Sequence, residues 1–299
     1  MPNRFDISFD MGDMGDMGDM GDMGDMGDMG DMGAAGTQAT RVGLPTTDPL
    51  ARHPLEAMPV GHFTLPFPID RKRSFPLLAW APKHLAQAIL AEFAATPWLT
   101  NEALDPGPWD DDPKAVAQEI RTLVRLAGDF RPMRQAEILA QAQDAAPFWG
   151  NMLLAGPAMR PATWTLILAG QVIGTMVAMH FKYKYKRPRP AQLYPALMPP
   201  MVTPSHPAYP NAHALQSNIM SGLVALACPD LKEPLQALAT RVGQNREIAG
   251  MHYPSDRTAS EKMAKAVLAW CETKLGWGSL LFQTIGHARD ELCAPPGDC

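Results

Sequence analysis

ATWTLILAGQVIGTMVAM, residues Ala162 to Met179, is a run of residues with no charge. A run of that length is either a membrane span or the buried central helix of a helical domain, and the choice sets the reading of the whole chain. Gln171 interrupts it, Gly170 and Gly174 add small positions, Gly156 lies just ahead, and no second run of comparable length occurs. The reading is therefore a central core helix, with no integral membrane span expected.

Working outward, the neighbouring stretches carry helical stripes. Leu85, Ile89, Leu90 and Phe93 mark one helix, and Asp112 followed by Pro113 starts another, with Val116, Ile120, Leu123, Val124 and Ala127 on its apolar face. Met133 to Ala146 fits a further helix. Leu215, Ile219, Leu223 and Ala227 form the next stripe, then Leu235, Leu238, Val242, Arg246 and Ala249, and a last pattern begins near Thr258. Few stretches alternate with period two, so the fold class is all-α, a helical bundle with its site at the ends of the central helices. The catalytic domain is placed at residues 60–276, and residues 277–299 are a carboxy-terminal tail with no assigned structure.

The amino-terminal 59 residues read differently. Asp10 to Gly33 is Asp-Met-Gly repeated eight times, and glycine at every third position with evenly spaced carboxylates predicts a disordered tail. Its methionines and aspartates are competent cation donors, a reading that stands beside an inert tail. A Pro, Gly and Thr-rich linker follows to about Pro68. The repeat also explains the charge. Of a formal net charge of −5, eight aspartates lie in the repeat, so the rest of the chain is mildly basic. That balance suits a small anionic substrate and not nucleic acid, since no basic stripe of sufficient length is present. No apolar run follows Met1, so a cytoplasmic location is expected. Cys228, Cys271, Cys293 and Cys299 lack metal-ligand spacing and are read as reduced, with the last pair alone able to close a short loop. Oligomeric state is not legible.

Three stretches carry the chemistry. Directly after the uncharged run comes KYKYKRPRP, Lys182 to Pro190, a solvated basic turn unless Pro188 and Pro190 fix the backbone and aim Arg189. The second is HPAYPNAHA, His206 to Ala214, in which Asn211 reads as a helix N-cap. That places the Ala212 N–H and His213 at a helix start able to bind phosphate. The third is NREIAGMHYPSD, Asn245 to Asp256. Arg246 continues an apolar face and needs an anionic partner, Gly250 stops the helix, and His252 sits on a short connection with Asp256 four residues on, within reach of one ring nitrogen. Each stretch alone also reads as ordinary structure. His53, His62, His84, His180 and His287 join no constellation.

Lys182 with six residues before Arg189-Pro190, then Pro210-Asn211-Ala212-His213, then Arg246 with five residues before His252 and three before Asp256, resembles the three-part signature of the superfamily joining type 2 phosphatidic acid phosphatases, bacterial non-specific acid phosphatases and vanadium haloperoxidases. The soluble bacterial haloperoxidase-like members are similar in their basic motif. The resemblance implies an all-α bundle of the acid phosphatase/vanadium haloperoxidase type and an enzyme, a metal-independent hydrolase of phosphate esters or anhydrides working through a phosphohistidine. In that scheme His252 attacks phosphorus, Asp256 orients it, and His213 serves as acid and then base. Lys182, Arg189, Asn211, Ala212 and Arg246 grip the phosphoryl oxygens, and no cofactor is needed. The same resemblance implies an alternative, a haloperoxidase holding vanadate on His252, and a lesser one, an inactive anion-binding protein. The family usually has Ser-Gly where this chain has Asn211-Ala212, which bears on the strength of the anion site. A divalent metal on His206, His213, His252 and Asp256 is a further reading, opposed by the three surrounding cations.

Overall fold

The computed structural model describes residues 74–293. The Asp-Met-Gly repeat, the linker, the domain start at residue 60, His53, His62 and Cys299 lie outside the described residues.

Among the described residues all regular structure is helical, as the periodicity predicted. Helix α1 (Pro82–Ala94) has proline in its first turn and buries Leu85, Ile89 and Phe93, the expected stripe. Helix α2 (Pro113–Gln143) starts where Asp112-Pro113 predicted, its first turn capped by the Asp112 carboxylate accepting the Ala115 N–H at 3.0 Å. It then runs through Pro132, so the two helices expected over this region are one. A proline there removes an intrahelical bond at a cost of about 3 kcal/mol. Next to it, Arg131 donates to the carbonyls of Ile248 at 3.0 Å and of Leu197 and Met198 at 2.9 Å, tertiary bonds that tie this turn of the helix to distant segments.

Helices α3 (Ala146–Leu153) and α4 (Pro161–Tyr185) follow, then the short α5 (Pro190–Leu193), α6 (Ala212–Ala227), α7 (Lys232–Ile248), α8 (Pro254–Lys274) and α9 (Leu280–Cys293). The uncharged run is α4, and it is central: α6, α1 and α9 pack against it, and Leu166, Ile167, Ile173 and Val177 are fully buried. Burial of such a side chain is worth about 1.5–3 kcal/mol. The glycines set how close α6 comes. A Cβ on Gly170 would meet the Met220 backbone at 2.7 Å, and one on Gly174 would meet the Gln216 Cα at 2.8 Å. Helix α6 in turn carries α7 and α8 on its other faces, so its amino-terminus is surrounded by the ends of α4, α7 and α8.

Three expectations are corrected. Helix α8 begins at Pro254 and not near Thr258, because Pro254 has the backbone angle of a first helical residue and the Asp256 carboxylate accepts the Tyr253 N–H at 2.9 Å, capping the turn. The carboxy-terminal tail is in part α9, packed on α4 and α6 with Leu281, Phe282, Ile285 and Ala288 buried. The cysteines read as reduced include a pair: Cys228 at the end of α6 and Cys293 at the end of α9 form a disulfide, Cα to Cα 6.2 Å, across a sequence separation of 65. Packing of α9 on α6 juxtaposes them, which spacing along the chain cannot show. Cys271 is buried and unpaired.

Candidate active site

The connection between α7 and α8 is short because Gly250 takes φ 79, a left-handed angle that ends α7 at the predicted stop. It delivers His252, buried, between α8 and the turn after α4. His252 Nδ1 lies 3.2 Å from Asp256 Oδ2, and its Nε2 lies 3.0 Å from Arg189 Nη1. A guanidinium only donates and a carboxylate only accepts, so the pair assigns the tautomer. The proton is on Nδ1, donated to Asp256, and the unprotonated Nε2 accepts from Arg189 Nη1.

Electrostatics agree with that assignment. Burial, then the charges of Arg189, Lys182, His213 and His206, hold the His252 pKa well below the ordinary imidazole value, so the ring is neutral near pH 7. Burial pushes the Asp256 carboxyl up, and Arg187, the Tyr253 N–H and Lys182 pull it back.

The basic stretch after α4 divides by direction. Lys186 takes φ 49 at the end of α4, Tyr183, Lys184 and Lys186 face outward, and Lys182, Arg187 and Arg189 turn inward. Lys182 Nζ donates to the carbonyls of Pro207 at 2.6 Å and Ala208 at 3.2 Å. Arg189 donates through Nε to the His206 carbonyl at 2.9 Å and through Nη1 to the Met251 carbonyl at 3.1 Å, and its Nη2 is 3.0 Å from His206 Nδ1. Backbone carbonyls thus help fix both cations beside the ring, where their charge favours an anion.

Asn211 caps α6 as predicted, its Oδ1 accepting the Ala214 N–H at 3.1 Å. Its backbone N–H reaches the Asp256 carbonyl at 3.4 Å, and Ser260 Oγ donates to the carbonyls of both Asn211 and Asp256, at 2.9 and 2.8 Å. The start of α6 is thereby tied to the start of α8. The Asn211 Nδ2 is buried without a hydrogen-bond partner, a donor left open beside the site. Ala212 is the first residue of α6, and His213 follows it, part-exposed, close enough to act electrostatically on His252.

Of the predicted residues, Arg189, His252 and Asp256 are bonded in a chain, the Asn211 N–H reaches the Asp256 carbonyl, and Lys182 and His213 act on His252 electrostatically. Arg246 donates through Nη2 to the Ile138 carbonyl of α2 at 2.6 Å. Among the described residues no group of three or more His, Cys, Asp or Glu side chains is arranged to hold a metal ion. His206 Nδ1 lies 3.0 Å from Arg189 Nη2.

Two residues escaped the sequence reading. Arg187, taken as part of a solvated turn, is 1% exposed and donates through Nη1 to Asp256 Oδ1 at 2.5 Å and to Ser255 Oγ at 2.7 Å. Its Nη2 donates to Glu119 Oε2 of α2 at 2.6 Å, and Glu119 Oε1 accepts the Ser255 N–H at 2.8 Å. The signals were weak: Pro188 stiffens the chain after Arg187, and Glu119 is a lone carboxylate beside Ile120 on an apolar stripe.

No protein-family model matches the chain, and no curated protein matches it. Among solved structures it is similar to one described as the first transmembrane PAP2 type phosphatidylglycerolphosphate phosphatase from Bacillus subtilis, at 14% identity and TM-score 0.28, over 69% of this chain and 94% of that one. The cytoplasmic location and the absence of a span expected from the sequence are corrected here. In this chain the segment Pro161–Leu193 is long and apolar enough to cross a membrane, with mean hydropathy 1.5 over a window that is 67% buried inside the molecule. A polar start to the chain does not bear on a helix that lies far downstream.

Proposed function

We propose that this chain is a metal-independent phosphatase that hydrolyses a phosphate ester or anhydride through a phosphohistidine on His252. One observation carries the reading: a buried, neutral histidine, protonated on Nδ1 toward Asp256, whose unprotonated Nε2 accepts from Arg189, a donor that an incoming phosphoryl oxygen would draw off the lone pair. An imidazole in that state is a nucleophile, and a neighbouring guanidinium favours an anionic electrophile in front of it.

The Nε2 lone pair forms the N–P bond as the bond from phosphorus to the leaving oxygen breaks. Lys182, Arg189, Arg246, the Ala212 N–H and the open Asn211 amide stabilise the three equatorial oxygens of the transition state. His213 supplies the proton that the leaving oxygen takes. In the second half, His213 removes a proton from water, the water oxygen bonds to phosphorus, and the N–P bond breaks to return neutral His252. Throughout, Nδ1–H stays on Asp256, whose negative charge stabilises the imidazolium of the intermediate. A divalent cation would meet Lys182, Arg189 and Arg246 at the same place, so charge favours a bare phosphoryl anion.

The test is release of phosphate from an aryl phosphate monoester by the purified full chain in EDTA, wild type against His252→Ala. We expect turnover that orthovanadate inhibits and that falls at least about 10³-fold in the variant, the scale of losing a nucleophile. Activity that needs added divalent metal would overturn the metal-independent reading. Bromide oxidation with vanadate and peroxide, in a chain that releases no phosphate, would replace it with the haloperoxidase chemistry that vanadate on His252 would support.

A further inference from the structure

We infer that Arg187 and Glu119 form a clamp, outside the reacting atoms, that positions Asp256 so that His252 presents its bare Nε2 to the substrate. The inference rests on the phosphatase reading for its kinetic arm alone.

The geometry is that of a relay with one input and one output. Asp256 is fully buried and has two oxygens to satisfy. Oδ2 takes the Tyr253 N–H and the His252 ring proton, and Oδ1 takes Arg187 Nη1. Without that third donor, the carboxylate has an unsatisfied oxygen in a dry environment and is free to rotate about its Cβ–Cγ bond, which exchanges the oxygen facing the ring. Arg187 is itself immobilised. Its guanidinium stacks over the Tyr253 ring at 3.6 Å and over Trp109 at 4.9 Å, and Glu119 holds its other nitrogen. Glu119 also fixes the backbone of Ser255, between His252 and Asp256, so the same carboxylate sets the start of α8 and the arginine that reads it. A planar fork is needed because the two nitrogens serve two carboxylates on different helices, α2 and α8.

This differs from the work of Arg189 and Lys182. Those cations are bonded to backbone carbonyls beside the His252 ring, whereas Arg187 is balanced by two carboxylates and has no charge to lend. Arg187 is a positioning residue. The charged and titratable groups facing the His252 and Asp256 pair are Arg187, Lys182 and Arg189 around the turn after α4, Glu119 from α2, His206, and His213 from α6.

The experiment uses the full chain with ¹⁵N-labelled histidine. In wild type, His252 should give one tautomer, protonated on Nδ1 and bare on Nε2. Arg187→Met should lose that single tautomer and lower kcat by about 10²-fold, the scale set by misplacing a reacting group by an ångström, with KM changed less than about threefold. Arg187→Lys keeps a charge and one donor and should recover the tautomer with part of kcat. Glu119→Gln should lower kcat less than Arg187→Met. A wild-type tautomer together with wild-type kcat in Arg187→Met overturns the clamp, as does a rise in KM with kcat kept, which would make Arg187 a substrate contact. If Arg187→Met does not fold, Glu119→Gln and Arg187→Lys decide: both unchanged in tautomer and kcat refute the clamp. The tautomer is read without substrate, so a chain with no phosphatase turnover would sink the phosphatase reading while the clamp is still tested.

Discussion

The two ends of α6 are built on opposite terms. At its carboxy-terminal end polar groups are paired: Trp149 Nε1 donates to Ser221 Oγ at 3.0 Å, Ser221 Oγ donates to the Leu235 carbonyl at 2.9 Å, Arg289 reaches the carbonyls of Leu226 and Ala227, and Cys228 is bonded to Cys293. At its amino-terminal end the Asn211 amide nitrogen, Arg187 Nε and the Tyr253 hydroxyl are buried with no partner. Buried donors left open are destabilising by about 1–3 kcal/mol each, so a fold tolerates a cluster of them where a ligand is to be met. One end holds the helix in place, and the other uses the rigidity so provided.

If that division is right, damage at the two ends should separate stability from turnover. The largest effect is at the closed end. Replacing Cys228 and Cys293 by serine opens a loop of 65 residues, and should lower unfolding free energy by about 4 kcal/mol with kcat unchanged at temperatures where the chain is folded. Denaturant unfolding and steady-state kinetics on one preparation check it. A variant equally stable but slow would undo the contrast.

Next is the open end, with the effect reversed. Asn211→Ala removes the cap and the unpaired amide together. It should lower kcat by about 10²-fold, equivalent to about 3 kcal/mol, while stability falls by about 1 kcal/mol. Asn211→Ser keeps a cap oxygen, so it should restore the stability, and whether it also restores kcat reports how well a hydroxyl serves in place of the amide. Full activity in Asn211→Ala would show that the open donor has no catalytic use.

Midway between the ends, the crossing of α4 and α6 supplies a third case. Gly170→Ala places a methyl 2.7 Å from the Met220 backbone, which cannot move aside as a side chain tip could. A loss of about 2 kcal/mol is expected from such overpacking, with a smaller fall in kcat as the start of α6 shifts. Thermal unfolding gives the first number, and a stabilised variant would mean the helices can part without strain.

The sequence made the frame readable for local reasons. Asp112, Asn211 and Gly250 act within a few residues of themselves, so a cap and a stop can be named from the chain alone, and both caps and the stop stand where expected. The resemblance to a three-part family signature grouped Lys182, Arg189, Asn211, Ala212, His213, Arg246, His252 and Asp256. What escaped depends on contacts between distant segments. Arg187 looks like Lys184 and Lys186 in sequence, and only the fold turns it inward onto Glu119, 68 residues earlier. Arg246, expected among the phosphate ligands, also donates to the carbonyl of Ile138, 108 residues away, a contact that spacing along the chain does not show. Two helices were expected where α2 is one, and the Arg131 bonds to distant carbonyls beside Pro132 are not visible in the sequence.

The smallest effect distinguishes the ends by pH. His252 has a folded pKa well below the ordinary value of about 6.5, which it regains on unfolding. The unfolded chain therefore binds the extra proton below pH 6.5 and the folded chain does not, so this histidine's contribution is fully present above that pH and is lost progressively as pH falls toward the folded value. One proton corresponds to at most about 1.4 kcal/mol per pH unit. Asp256, pushed up by burial, acts in the opposite sense at lower pH, its contribution falling as pH rises from 3.8 to its folded value, and measurements from pH 5.5 to 7.5 weight the histidine. In urea unfolding across that range, His252→Asn should flatten the decline in stability on acidification. The cysteine double variant should instead lower the whole curve and keep its slope, since neither the disulfide nor the serines that replace it titrate in this range. Parallel curves for wild type and His252→Asn would mean that the buried imidazole takes up its proton as readily folded as unfolded, and a nucleophile kept neutral by its surroundings would have to be given up.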